Sequence, residues 1–273
     1  MLKRTCVINL VGLYIFVYGM AFTAAYPGPP GAAEAAPAAA QPVAARPAVP
    51  VSAPAAPPPV PAPQPRAATS AGTIYWHGPA DKRQVAITFD DGPHPEYTPQ
   101  ILAILDRHHA KATFFMVGEM ARRYPEVARQ VADRGNEVAD HTMTHPEAPR
   151  SDGRTLRREV QEAARLIETV SGGKPHYFRP PYGYFDVAYF RACRDAGLDV
   201  VLWSVVPRDW EQPPAEILAR RVAAEIRPGS VILLHDGGGD RRQTVKALPA
   251  IIDAIRAKGL EPVTLSRLLG DRP

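Results

Sequence analysis

Hydrophobic and polar positions along the second part of the chain fall into blocks that change period. Residues 84–89 (Gln-Val-Ala-Ile-Thr-Phe) form a β-rich run that stops at Asp90-Asp91-Gly92-Pro93, so two carboxylates stand where a strand gives way to a turn. Ile101, Leu102, Ile104 and Leu105 recur at helical spacing within 99–109, and a strand-like run follows at 112–117. Helices are then predicted over 125–134, 155–170, 186–196, 214–226 and 243–258, with strands at 137–139, 177–179, 199–204, 230–234 and 261–265. Near-continuous apolar strands alternating with helices imply an α/β fold whose parallel sheet is covered by helices, either a barrel or a doubly wound sheet. About seven strands are countable, and the expectation is a distorted or incomplete (β/α) barrel.

The polar residues decide where such a barrel would work. Asp90, Asp91, Asp140, His141, Arg179, Ser204, His235 and Asp236 all lie at or just past the C-terminal ends of predicted strands. In a barrel those ends converge on one rim, where active sites of that architecture are built.

The first 71 residues read differently. Lys3 and Arg4 precede an apolar run from Val7 to Phe22 that ends in Thr23-Ala24-Ala25, a small-residue site suited to signal peptidase. Residues 1–25 are therefore expected to be a signal peptide, with a retained N-terminal membrane anchor as the competing reading. Residues 26–71 are mostly Ala and Pro, too poor in large apolar side chains to offset the entropy of ordering, and are expected to be an extended tether. The catalytic domain is placed at 72–273, outside the cytoplasm. The formal charge of +4 over 273 residues falls to +1 for that domain once Lys3, Arg4, Arg46, Arg66 and Glu34 are set aside, since four cations and one anion leave with them. Nothing there argues for nucleic acid or for a protein partner. Cys193 is the one cysteine after the leader, which excludes an internal disulfide and leaves a buried structural thiol as its expected role.

His141 and His145 stand four residues apart in His-Thr-Met-Thr-His, so in a helical turn both imidazoles share a face and reach one metal. Histidine pairs at this spacing often carry no chemistry. Joined to an acidic pair at another strand end, the balance reverses, because burying Asp90 and Asp91 uncompensated is costly and a cation removes the cost. Two His and one Asp leave a position for water, the arrangement of a catalytic zinc site, and the chemistry implied is hydrolysis of an acyl bond.

Thr88-Phe89-Asp90-Asp91-Gly92, His141-Thr142-Met143-Thr144-His145, Arg179-Pro180-Pro181-Tyr182-Gly183, Asp209-Trp210 and Leu233-Leu234-His235 occur in the order of the motifs of the polysaccharide deacetylases, and the chain resembles that family over about residues 72–268. These are the family four carbohydrate esterases that share the NodB homology domain. The resemblance implies that Asp91, His141 and His145 bind a divalent metal, with Zn the default and Co, Ni or Mn as substitutes. It implies that Asp90 is the base, that Arg179 pairs with Asp90 and holds it charged and oriented, and that the Tyr182 backbone N–H helps stabilise the oxyanion. His235 would be the general acid oriented by Asp209, while Trp210 and Leu233 would line a slot for the acetyl methyl group.

The fourth motif departs from the family's Asp-x-x-Asp-Trp, because Val206 stands where the first Asp is usual. The Asp that pairs with His235 is present, and activity is expected to survive. The expected substrate is N-acetylglucosamine in an envelope or extracellular polysaccharide, peptidoglycan first and chitin oligomers next. An O-acetyl esterase on acetylated xylan and a catalytically silent glycan-binding module are the alternatives. A metal-independent amidase is disfavoured by the presence of all three ligands. The run Gly237-Gly238-Gly239-Asp240-Arg241 is either a plain surface loop or one whose glycines let backbone approach the substrate closely.

Overall fold

The computed structural model describes residues 72–147 and 152–270. The expected leader and tether, residues 1–71, lie outside them. Among the described residues no helix is long and apolar enough to cross a membrane.

The strands are β1 (Ile74–Tyr75), β2 (Gln84–Gly92), β3 (Thr113–Met116), β4 (Glu137–Asp140), β5 (Tyr177–Phe178), β6 (Asp199–Val201), β7 (Val231–His235) and β8 (Glu261–Val263). The helices are α1 (Tyr97–Arg107), α2 (Gly118–Arg123), α3 (Pro125–Asp133), α4 (Gly153–Ser171), α5 (Val187–Ala196), α6 (Ala215–Glu225), α7 (Arg242–Ala257) and α8 (Leu265–Leu269). Local signals fix several boundaries. The Asp152 side chain caps α4 by accepting from Thr155 N at 2.7 Å, and the Asp186 side chain caps α5 by accepting from Ala188 N and Tyr189 N at 2.9 and 3.0 Å.

The strand order is β1-β6-β5-β4-β3-β2-β7, and β8 pairs with the first residues of β2. Every pairing is parallel. Past β6 the chain bends, so that Val205 bridges Ile232 of β7. Ser204 N and Val205 N both donate to Val231 O at 2.9 and 3.1 Å, and Val231 N donates to Ser204 Oγ at 3.0 Å. The sheet thus closes through one short bridge, which is the distorted (β/α) barrel the pattern predicts. Ser204, counted among the polar strand ends, serves this closure.

Alternation along the strands sets the interior. Ala86, Phe115, Ala139, Tyr177, Val201, Val231 and Val263, one from each of β2 to β8, form a single buried cluster, as a layer of inward side chains in a barrel should. Their neighbours in sequence, such as Ile87, Phe89, Phe114, Val138 and Ile232, pack instead under the helices with Leu102 and Leu105. Thr88 and Asp90 follow Ala86 at steps of two, so they continue the inner face toward the rim. Leu105 is fully buried in the outer cluster, and Leu105→Ala is expected to cost about 2–5 kcal/mol. The check is a lower urea midpoint with an unchanged slope.

Three elements escaped the sequence reading: β1, α2 and α8. The final strand, expected to run to Leu265, ends at Val263, because Thr264 caps α8 by accepting from Arg267 N at 3.4 Å. The strand predicted over 199–204 ends at Val201, where the bend toward β7 begins.

Candidate metal centre and active site

The site is built on a fault in β2. The β2–β3 register runs Phe89↔Phe114, Asp90↔Phe115, then Gly92↔Met116, leaving Asp91 unpaired as a bulge. Asp91 takes the left-handed conformation, with φ of 72°. A bulge re-aims the side chain that it carries, which is how two consecutive carboxylates both reach one rim.

The imidazoles come from the loop after β4. They are not on the helical turn that their spacing suggested, because Thr142 and His145 have φ of 71° and 57°. The loop is fastened by backbone: Gly118 N and Glu119 N at the start of α2 donate to Thr142 O and Met143 O, both at 2.9 Å. Thr142 N donates to the buried Asp140 Oδ1 at 2.7 Å. Thr144 N and Oγ1 donate to the Glu159 carboxylate of α4 at 2.7 and 3.0 Å.

These elements bring Asp91, His141 and His145 together, with one candidate ligand atom from each lying within 4.8 Å of the others. Asp91 Oδ1 is 3.4 Å from His141 Nε2 and 3.2 Å from His145 Nε2. His141 Nδ1 lies 2.7 Å from the Arg179 carbonyl. A carbonyl only accepts, so Nδ1 carries the proton and the Nε2 lone pair faces Asp91. Asp91 Oδ1 is buried without a hydrogen-bond partner among the described residues. Two imidazole lone pairs and an ionised, otherwise unpartnered carboxylate oxygen form a donor set that fits a divalent cation.

Asp90 and Arg179 form the second unit. Both are buried, and Arg179 Nη1 donates to Asp90 Oδ1 at 2.6 Å. The guanidinium is held on all sides: Nη1 also donates to Thr88 Oγ1 at 2.8 Å, Nε to Val201 O and Nη2 to Leu202 O, both at 3.0 Å. Phe115 lies beneath it, 4.0 Å from Cζ to the ring centroid. With Oδ1 so engaged, Asp90 Oδ2 lies on the ligand side, 3.9 Å from His141 Nε2.

His235 and Asp209 form the third unit. His235 pairs with Asp90 in the β2–β7 register, so it stands beside it on the rim. Its Nδ1 is 2.7 Å from Asp209 Oδ1. Asp209 Oδ2 accepts from His235 N at 2.9 Å and from Thr244 Oγ1 of α7 at 2.8 Å. Burial works against the imidazolium, yet the Asp209 carboxylate outweighs it and raises the His235 pKa above its ordinary value. Burial likewise opposes Asp209, whose own pKa is lowered by His235. Val206 does not disturb this pairing.

Three further predicted residues lie around these units. Tyr182, in a 3-10 turn at Pro181–Gly183, has φ of 59° and packs edge-on to His145 at 4.8 Å between centroids. Trp210 stands edge-on to His235 at 5.6 Å, and Leu233 is buried on β7. Sequence reasoning gave no role to Thr88 or Thr244. Thr88 was legible in principle, being two residues before Asp90 on the same strand face, whereas nothing local to Thr244 marks it as a partner of Asp209. Cys193 is fully buried, as expected, and burial pushes its thiol pKa up.

Fold and site define a class: an α/β barrel hydrolase with a candidate metal centre on its C-terminal rim. Comparison with known proteins narrows it. The polysaccharide deacetylase family model matches residues 77–201. A peptidoglycan-N-acetylglucosamine deacetylase of Bacillus cereus is 41% identical over 200 residues, which cover 72% of this chain and 93% of the relative. A chitooligosaccharide deacetylase of Sinorhizobium fredii is 38% identical over 206 residues, covering 71% and 91%. The crystal structure of the Bc1960 peptidoglycan N-acetylglucosamine deacetylase, in complex with an N-oxidanyl-benzamide, superposes with a TM-score of 0.71 at 34% identity, covering 73% of this chain and 94% of that one. The chain belongs to the polysaccharide deacetylase family.

Proposed function

We propose that this protein is a metal-dependent deacetylase that removes acetyl groups from N-acetylglucosamine residues of an envelope or extracellular polysaccharide, with peptidoglycan the first substrate and chitin oligomers the second. The observation that carries the reading is the convergence of the Asp91–His141–His145 cluster, the Asp90–Arg179 pair and the His235–Asp209 pair on one rim. The names of the relatives support the choice of substrate.

Asp91, His141 and His145 hold the cation, with zinc the proposed ion because imidazole and carboxylate donors suit it. A bound divalent cation supplies Lewis-acid polarisation of the acetyl carbonyl and brings the pKa of water there toward about 7. Asp90 Oδ2 takes the proton of the attacking water, while Arg179 fixes the carboxylate through Oδ1. The Tyr182 backbone N–H donates to the developing oxyanion. His235, whose Nδ1–H is held by Asp209, gives a proton from Nε2 to the amine nitrogen as the amide C–N bond breaks. Trp210 and Leu233 line the place of the acetyl methyl group. The leader at 1–25 and tether at 26–71 deliver the enzyme outside the cytoplasm, either released or held at a membrane by an uncleaved leader.

The test is free acetate released by the purified protein from peptidoglycan and from chitooligosaccharides. Chelation is expected to abolish release and zinc to restore it. Release from acetylated xylan alone would move the substrate to an ester, and glycan binding without any release would make the protein a silent module.

A pH experiment addresses the acid separately. The active form of His235 is protonated, so activity falls as pH rises through its pKa. Asp209 raises that pKa, so Asp209→Asn is expected to move the alkaline limb of the kcat/KM profile to lower pH. An unmoved limb would take the proton-donor role away from His235.

A further inference from the structure

The chain after β7 follows the corner at Asp90–Gly92 residue by residue. Asp236 N and Gly237 N donate to the Asp90 carbonyl at 3.0 and 3.3 Å. The Asp236 carboxylate is fully buried, accepts from Thr98 Oγ1 of α1 at 2.5 Å and lies so close to Gly92 that a Cβ there would fall inside 3.0 Å of it. A Cβ on Gly237 would run into the Asp91 carbonyl, and one on Gly238 into Asp91 Oδ2. Gly239 differs, because the atoms nearest to a Cβ there belong to the Arg241 guanidinium, at 3.7 and 3.9 Å.

Asp91 is a bulged, non-glycine residue with left-handed φ, a conformation that persists only where the surroundings over-determine it. The surroundings here are this segment. Asp91 Oδ1 faces the two imidazoles while Oδ2 lies against Gly238, so the carboxylate is wedged between loop backbone and the other ligands. The backbone of these glycines makes its close approach to Asp91, which neither reading of the loop from sequence had named.

We propose that Asp236, Gly237 and Gly238 are positioning residues that clamp the Asp91 bulge and set the aim of its carboxylate at the cation. The inference rests on the reading of Asp91 as a metal ligand. A methyl group at Gly238 must displace either the carboxylate or the loop, and partners that orient a ligand typically change metal affinity by about 10–100-fold when altered.

The experiment measures zinc affinity by competition with a chelating indicator, together with the melting temperature of the metal-free protein, for the parent, Gly238→Ala and Gly239→Ala. Both glycines have positive φ, 67° and 149°, so both substitutions strain the loop, but only the first meets Asp91. Gly238→Ala is expected to weaken zinc binding by about tenfold or more, with Gly239→Ala within about threefold of the parent even though the strain at its φ of 149° also lowers the melting temperature of the metal-free protein. Parental affinity in Gly238→Ala, or equal losses in both variants, overturns the clamp. If Gly238→Ala does not fold, Asp236→Ala decides. It unbraces Gly92 and leaves the buried Thr98 hydroxyl without the carboxylate that now accepts from it, so some loss of melting temperature is expected and affinity is compared well below that temperature; zinc binding should weaken by about tenfold, and unchanged affinity overturns the inference. A parent protein that binds no zinc overturns the metal reading and the clamp with it, whereas parental binding with an unaffected variant overturns the clamp alone.

Discussion

Asp90→Asn is expected to lower kcat for acetate release by about 10²–10⁴-fold, the usual contribution of a positioned general base. The substitution keeps the shape of the side chain and an oxygen for Arg179 Nη1, now 2.6 Å from Oδ1, but replaces the oxygen that accepts the proton of water with an amide that cannot. Asp91, His141 and His145 are untouched, so zinc affinity should stay within about threefold of the parent, far from the 10–100-fold expected of a disturbed ligand environment. The stability cost is real but separable, since the Arg179 charge stays buried against a neutral partner. Rates are therefore compared on metal-loaded protein well below its melting temperature. A variant retaining more than about a tenth of parental kcat would remove Asp90 from the role of base.

What the sequence made legible, and what it did not, divides along the range of the forces involved. β2, β3 and β7 were readable because a strand buried on both faces must be apolar throughout, and the carboxylates interrupting that pattern at 90 and 91 then mark its end. β1 was not readable: it has two residues, and its place depends on Asp199 Oδ1 accepting from Gly72 N and Thr73 N at 2.9 and 2.8 Å, across more than 120 positions. The spacing of His141 and His145 pointed to a pair that the structure does bring together beside Asp91, but it misread the backbone. An i, i+4 interval fits a helix, yet left-handed Thr142 and His145, in a loop whose Thr142 and Met143 carbonyls are held by the start of α2, bring the rings to 5.0 Å between centroids by another path.

The active-site roles show the same division. Each candidate ligand was marked by residue type and motif order, but the bulge that carries Asp91 exists only in the register between β2 and β3. The glycine loop was visible as a sequence feature with two open explanations, and only its approach to Asp91 distinguishes a third. Asp209 was expected as the partner of His235 and is found there; Thr244, which completes its hydrogen bonding, comes from a helix face chosen by packing.

Arg179→Met is expected to produce the largest loss of stability of any single change considered for the site. The guanidinium is fully buried and donates to four acceptors, Asp90 Oδ1, Thr88 Oγ1, Val201 O and Leu202 O. Removing one partner of a buried ion pair costs about 3–5 kcal/mol, and the orphaned carbonyls add to it. Against a total of about 5–15 kcal/mol for a whole domain, the variant should sit near its unfolding transition at room temperature. Arg179→Lys keeps the charge but not the planar fork that reaches several acceptors at once. It should recover part of the stability in urea denaturation while leaving less than about a tenth of the activity, since Asp90 is no longer fixed through Oδ1. The decisive comparison is with the double variant Asp90→Asn/Arg179→Met. If the single substitution destabilises chiefly by stranding the Asp90 charge, removing that charge as well should restore stability, and the double variant should be more stable than Arg179→Met alone. Strictly additive losses would instead mean that Arg179 supports the barrel through Val201 and Leu202 and that its contact with Asp90 contributes little.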